Sequence, residues 1–164
     1  MAIVRLIDGQ WTKPEIIHAD DWNIAGCPVN GPSIAADDES VAATWFTASG
    51  GNPMVKLAFS TDAGKSFSTP ITISEGTTNG RVGTTMLPDG SVAISWMETV
   101  DDNTAIMLAH YDFSGSLLKK MEVAKSSSSR RSGFPVITSS SNTVYLAWTQ
   151  TGDSKMVNTA KIDF

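Results

Sequence analysis

The chain holds a single cysteine, Cys27, so no intrachain disulfide and no paired-cysteine metal or redox motif can form. Basic residues are few: 12 Lys and Arg against 17 Asp and Glu leave a formal charge of -5 and a sequence pI near 4.8. Nucleic-acid affinity rests on cations that neutralise phosphates, so that balance argues against DNA or RNA as a partner. No apolar run approaches the roughly 20 residues of a membrane-spanning helix, and the first ten residues lack the apolar core of a signal peptide. The chain reads as soluble, with its compartment left open. No glycine-rich phosphate loop, flavin motif or metal-ligand spacing is present, so no cofactor is expected. What remains is 164 residues, 41% hydrophobic and 18% charged, the size and balance of one globular domain.

Internal repetition organises that domain. "PSIAADDESVAATWFT" from Pro32, "GTTMLPDGSVAISWMET" from Gly83 and "PVITSSSNTVYLAWTQT" from Pro135 each read as a short strand, a polar turn and an apolar strand ending in tryptophan. Trp45, Trp96 and Trp148 fall 51 and 52 residues apart. The second half recurs as well, "VKLAFSTDAGKSFSTPITIS" from Val55 being echoed by "IMLAHYDFSGSLLKKMEVA" from Ile106. Each unit therefore holds four short strands, with no long helix. The strands "VAATWF", "VAISWM" and "VYLAWT" are apolar at nearly every position, so both sheet faces require cover. Sheets of about 50 residues stacked on copies of themselves describe a β-propeller; a β-sandwich with chance similarity is the alternative.

Between the third and fourth strands lies "FSTDAGKSF". Ser60 and Asp62 can turn side-chain oxygens onto the backbone of the turn, Gly64 can take positive φ, and Phe67 can pack beneath it. Ser60, Asp62, Gly64 and Phe67 resemble the Asp-box, S-x-D-x-G-x-x-[W/F], of the sialidase-like BNR-repeat propellers. The other copies depart from it: "YDFSGSLL" keeps Gly115 but shifts the acid, and "DGQW" at Asp8 to Trp11 is shortened. The resemblance implies an all-β, sialidase-like propeller in which Asp62 is structural and faces away from the site.

The resemblance further implies a glycosidase site at the axial mouth, with three arginines on a carboxylate, a tyrosine nucleophile, a glutamate and an acidic aspartate. Loops entering the first strands offer Asn30, Arg81, Arg130 and Arg131, and loops leaving the second strands offer Thr47, Glu98 and Gln150. Arg81 and Arg131 are expected as parts of an anion clamp, Glu98 as an acidic partner at the mouth, and Arg130 and Asn30 as further ligand contacts. Solvated loop charges are the plainer alternative for these residues. Tyr145, inside "VYLAW", is expected to be a packed ring with a bonded hydroxyl, and Tyr111 to sit on the Asp-box side. Neither fits a nucleophile, so no catalytic residue is assigned. His18 with Asp20 and Asp21 reads as a surface loop rather than a metal site, and Cys27 as a buried thiol.

The chain encodes about three blades where sialidase-like propellers have six, and it resembles the C-terminal half of such a protein. Residues 1–18 read as outer strands of a preceding blade, 31–74 and 82–124 as blades, and 133–164 as an incomplete blade, all in one half-propeller domain. Apolar end faces are expected to be covered, in a homodimer that closes six blades or in a longer protein of which this is a fragment. The function expected is a non-catalytic module for glycans, acidic sugars or other carboxylated ligands, or an interaction module. The alternative is an exo-sialidase or related glycoside hydrolase with its site completed across a homodimer.

Overall fold

The computed structural model describes residues 1–25, 29–101, 103–151 and 155–164, with Arg130 described by its backbone alone. The chain opens with a long antiparallel hairpin in which β1 (Ala2–Ile3) pairs with β4 (Glu15–Ile16) and β2 (Leu6–Ile7) with β3 (Gln10–Trp11). The first sheet orders β5 (Ser33–Asp37), β6 (Ser40–Thr47), β7 (Met54–Ser60) and β8 (Ile71–Glu75) as consecutive antiparallel neighbours. The second repeats that order with β9 (Thr78–Met86), β10 (Val92–Val100), β11 (Asn103–Tyr111) and β12 (Leu117–Ser126). The third has three strands, β13 (Val136–Ser140), β14 (Thr143–Gln150) and β15 (Met156–Asp163). The inner strands β5, β9 and β13 neighbour one another in that sequence, the radial arrangement of a propeller.

Two apolar layers explain why the central strands lack alternation. Val92, Ile94 and Trp96 of β10 pack toward Val55, Leu57 and Phe59 of β7. Ala93 and Met97 of the same strand pack the other way, toward Val144, Leu146 and Trp148 of β14. In β11, Met107 and Ala109 join the first layer while Ile106 and Leu108 join the second. Burying one such aliphatic side chain is worth about 1.5–3 kcal/mol, so the layers are what hold neighbouring sheets together.

Two of the repeated tryptophans carry a polar bolt, one in the layer between the first two sheets and one between the first sheet and the segment that precedes it. The Trp96 indole N–H donates to Glu98 Oε2 at 2.7 Å, and that oxygen also accepts from Ser74 Oγ of β8 at 2.5 Å. One repeat earlier, the Trp45 indole donates to Asp20 Oδ2 at 2.8 Å, while Lys56 Nζ donates to Oδ1 at 2.7 Å. Trp148 breaks the pattern, because its buried Nε1 has no hydrogen-bond partner among the described residues.

The Asp-box turn closes on itself at the opposite end of the strands from these bolts. Ser60 Oγ donates to Asp62 Oδ1 at 2.7 Å and accepts from the Gly64 N–H at 2.9 Å. Ser66 donates to Asp62 through its N–H at 2.9 Å and its hydroxyl at 2.6 Å. Gly64, at φ 77°, lies against Ile3 and Arg5 of the hairpin. In the second repeat Asp112 accepts from the N–H groups of Ser114 and Ser116, and Gly115 has φ 89°. A Cβ there would stand 2.6 Å from Ile71 Cδ1, so this glycine too marks close approach to the preceding unit.

Tyr145 differs from its expected state. It is 41% exposed, with no hydrogen bond from its hydroxyl among the described residues, because its face of the third sheet has no neighbouring sheet. Tyr111 is buried, and that burial raises its hydroxyl above the ordinary value.

Two outcomes follow from these contacts. Trp96→Phe removes a hydrogen bond to a charged group and should lower unfolding free energy by about 1.5–3 kcal/mol more than Trp148→Phe, which removes none; equal losses in urea titrations would contradict the bolt. Hydrogen bonds from Ser66 and Ser60 hold the Asp62 carboxyl well below its ordinary value of 3.8. The unfolded chain then binds the extra proton first, so stability present above pH 3.8 is lost as pH falls below it. Asp62→Asn should flatten that acid limb of melting temperature against pH, and an unchanged slope would contradict the role.

Candidate functional site

Antiparallel register places Ser33 opposite Thr44 and Val136 opposite Ala147. Residues just before the inner strands and just after the second strands therefore share one end of the molecule, the mouth. Asn30, Gly80, Arg81, Phe134 and Phe46 gather there. β9 bends at Gly80 and Arg81, with φ 73° and 55°, where its register against β10 shifts. A side chain at position 80 has no room, since a Cβ would lie 2.8 Å from Asn30 Cγ and 2.9 Å from Phe46 Cδ2.

Asn30 and Arg81 meet directly. The Arg81 N–H donates to Asn30 Oδ1 at 3.1 Å, and Asn30 Nδ2 donates to the Asn79 carbonyl at 3.2 Å. The Arg81 guanidinium turns the other way, under the loop before β13. Nη1 donates to Ser132 Oγ at 2.9 Å and the Gly133 carbonyl at 2.8 Å; Nη2 donates to the Ser128 and Ser129 carbonyls at 3.0 and 3.2 Å. The Phe134 ring lies over the guanidinium at 5.5 Å. Asn30, Arg81 and Ser132 are each 51 residues apart, so equivalent positions of successive repeats clasp one another. All four terminal guanidinium N–H groups point at protein oxygens, and Arg81 is buried. A carboxylate fork at Arg81 would have to displace these bonds.

The other expected residues do not converge on Arg81. Arg131 is exposed, and its backbone N–H donates to Ser129 Oγ at 3.2 Å. The Arg130 side chain and Cys27 lie outside the described residues. Thr47 is buried with no partner for its hydroxyl among the described residues, and Gln150 is half-buried. Glu98 stands at the mouth end of β10, but its carboxylate is turned between the first two sheets. It faces a cleft of about 340 Å³ along the outer strands, lined by Thr72, Ser74, Glu75, Thr77 and Lys120. Lys120 Nζ approaches Glu98 Oε1 at 3.8 Å and lies over the Trp96 ring at 5.1 Å.

The larger opening at the mouth involves residues that the repeat pattern does not single out. A cleft of about 500 Å³ is lined by Met1, Asp20, Asp21, Trp22, Asn23, Asn30, Trp45 and Phe46. Trp22 is half-buried and meets Phe46 edge-on at 5.6 Å, which leaves part of its indole in the cleft. Asp20 is the cleft's fixed wall. Burial alone would raise its carboxyl, but hydrogen bonds from Lys56 and Trp45 and the Lys56 charge outweigh that and hold it below the ordinary value. Asp21, in the left-handed region at φ 52°, and Asn23 are exposed at the rim. His18 approaches Lys56 Nζ at 3.1 Å and Asp20 Oδ1 at 3.5 Å, so the His-x-Asp-Asp run is organised around a lysine. Among the described residues no group of three or more His, Cys, Asp or Glu is placed to hold a metal.

No protein-family model matches the sequence, and no curated protein matches it. Solved structures do. A Hadza microbial sialidase, Hz136, is similar over 97% of this chain and 37% of its own, with a TM-score of 0.59 and 18% identity. A variant of the α-L-arabinofuranosidase Arb93A from Fusarium graminearum, in complex with an iminosugar inhibitor, is similar over 79% of this chain and 44% of its own (TM-score 0.53, 15% identity). The GH93 α-L-arabinofuranosidase of the same fungus, in complex with arabinobiose, is similar over 80% and 44% (TM-score 0.53, 16% identity). The chain thus spans less than half the length of each of these proteins. Repeat, sheet order and structural likeness agree on the fold: the chain has the fold of part of a sialidase-like β-propeller.

Proposed function

We propose that this chain binds neutral carbohydrate at its mouth and does not cleave it. The observation that carries the reading is the cleft in which a half-buried indole, Trp22, stands beside Asp21, Asn23 and Asn30. A sugar ring offers a C–H face to an aromatic surface and hydroxyls to carboxylates and amides, and this lining supplies both. The structural neighbours whose names and ligands include a sialidase, an arabinofuranosidase and arabinobiose support a saccharide as the ligand class. Arg81, hydrogen-bonded four times within the protein, favours a neutral sugar over a carboxylated one.

Two arrangements support binding without hydrolysis. A general acid must hold a proton at working pH, and Asp20 is kept ionised by Lys56 and Trp45. Tyr111 is buried toward the Asp-box end, and Tyr145 lies on the outer face of the third sheet, so neither borders the cleft.

We also propose that two copies associate through the outer face of the third sheet. Val136, Tyr145 and Val157 are 67%, 41% and 71% exposed there, whereas the corresponding face of the second sheet is buried against the third. Exposed apolar surface of that kind is normally a contact.

Isothermal titration with arabino-, xylo- and galacto-oligosaccharides should show saturable binding that weakens at least tenfold in Trp22→Ala. Sialyllactose binding tighter than every neutral sugar, or release of 4-nitrophenol from an arabinofuranoside, would overturn the reading. Light scattering should give a mass near twice 17.4 kDa, reduced to one chain by Val157→Asp. A wild-type chain that stays monomeric would remove the association.

A further inference from the structure

At the mouth, the half-buried ring of Trp22 and the exposed ring of Phe134 stand at opposite ends of one chain of contacts. Trp22 meets Phe46 at 5.6 Å. Phe46 and Asn30 both press on Gly80, whose missing Cβ would lie within 3 Å of each. Asn30 bonds the backbone of Arg81, and the Arg81 guanidinium lies under Phe134, which is 44% exposed. The row runs from the segment preceding the first sheet, across β9, to the loop that enters the third. Its middle passes from half-buried Asn30 to buried Gly80 and Arg81, and its ends are rings.

We propose that this row is an extended binding surface for an oligosaccharide, with one sugar on Trp22 and a more distant one on Phe134. The inference rests on the saccharide reading above and adds the length of the ligand and a second aromatic contact. Phe134 is an exposed ring immobilised on one side by a buried cation, so its open face is presented without the usual loss of side-chain freedom on binding. Arg81 is a positioning residue in this arrangement: its four hydrogen bonds hold residues 128–133, and hence Phe134, at the level of Asn30.

The test compares one-, two- and four-unit members of the same arabino-, xylo- and galacto-oligosaccharide series on the full chain. Affinity should rise at least tenfold from the monosaccharide to the tetrasaccharide. Phe134→Ala should abolish that rise, whereas Trp22→Ala should weaken every member. Phe134→Trp should retain the rise, which separates a stacking role from a disturbance of the loop. Arg81→Met, checked for folding by its far-ultraviolet circular dichroism, should reproduce the Phe134→Ala pattern. Equal affinity for all lengths, or a length dependence that survives Phe134→Ala, overturns the extended surface while leaving single-sugar binding intact. No binding of any sugar overturns both readings.

Discussion

Strands with two apolar faces can exist in water only when both faces are covered, and that constraint shapes this molecule. β10 and β11 send alternate side chains into two separate layers, so the second sheet cannot form without its neighbours on either side. Hydrophobic area supplies most of the attraction, but area alone does not set how one sheet sits on the next. The indoles of Trp45 and Trp96 add direction, the second donating to Glu98 between the first two sheets and the first to Asp20 in the segment before the first sheet. The repeat thus fixes both the spacing of the sheets and the line along which their inner strands meet.

The mouth is a consequence of that alignment. Once successive repeats are in register, residues at equivalent positions stand next to one another, which is how Asn30 reaches Arg81 and Arg81 reaches Ser132. A charged side chain at such a junction can meet a ligand or tie the loops together. Here the carbonyls of residues 128, 129 and 133 saturate the guanidinium, and the polar surface left open belongs to Asp21, Asn23 and the indole of Trp22. The likeness to solved glycoside hydrolases bears on the fold and covers less than half of each of those proteins.

Much of the architecture was legible in the sequence because it depends on periodic features: the tryptophan spacing, unbroken apolar strands and the self-bonded turn at Asp62. Two side-chain directions follow from strand parity as well. Glu98 stands two residues after Trp96, so on a strand it must face the same sheet boundary rather than the axis. Tyr145 stands three before Trp148, so it faces away from the second sheet, toward a side that no sheet of the described residues covers. The fate of Arg81 was not legible, because backbone carbonyls carry no residue signature. Trp22 and Asn23 were equally hidden, lying in a segment outside the repeat where no period assigns a face.

The most direct test of the account is a single set of NMR spectra of the indole N–H groups, recorded while a neutral tetrasaccharide is added. Five tryptophans give five resolvable side-chain signals. The account predicts that the Trp22 signal moves in a saturable way while that of Trp96, locked onto Glu98 away from the cleft, stays in place. A Trp22 signal unmoved at saturating sugar, with any shift confined to Trp45, Trp96 or Trp148, would contradict it.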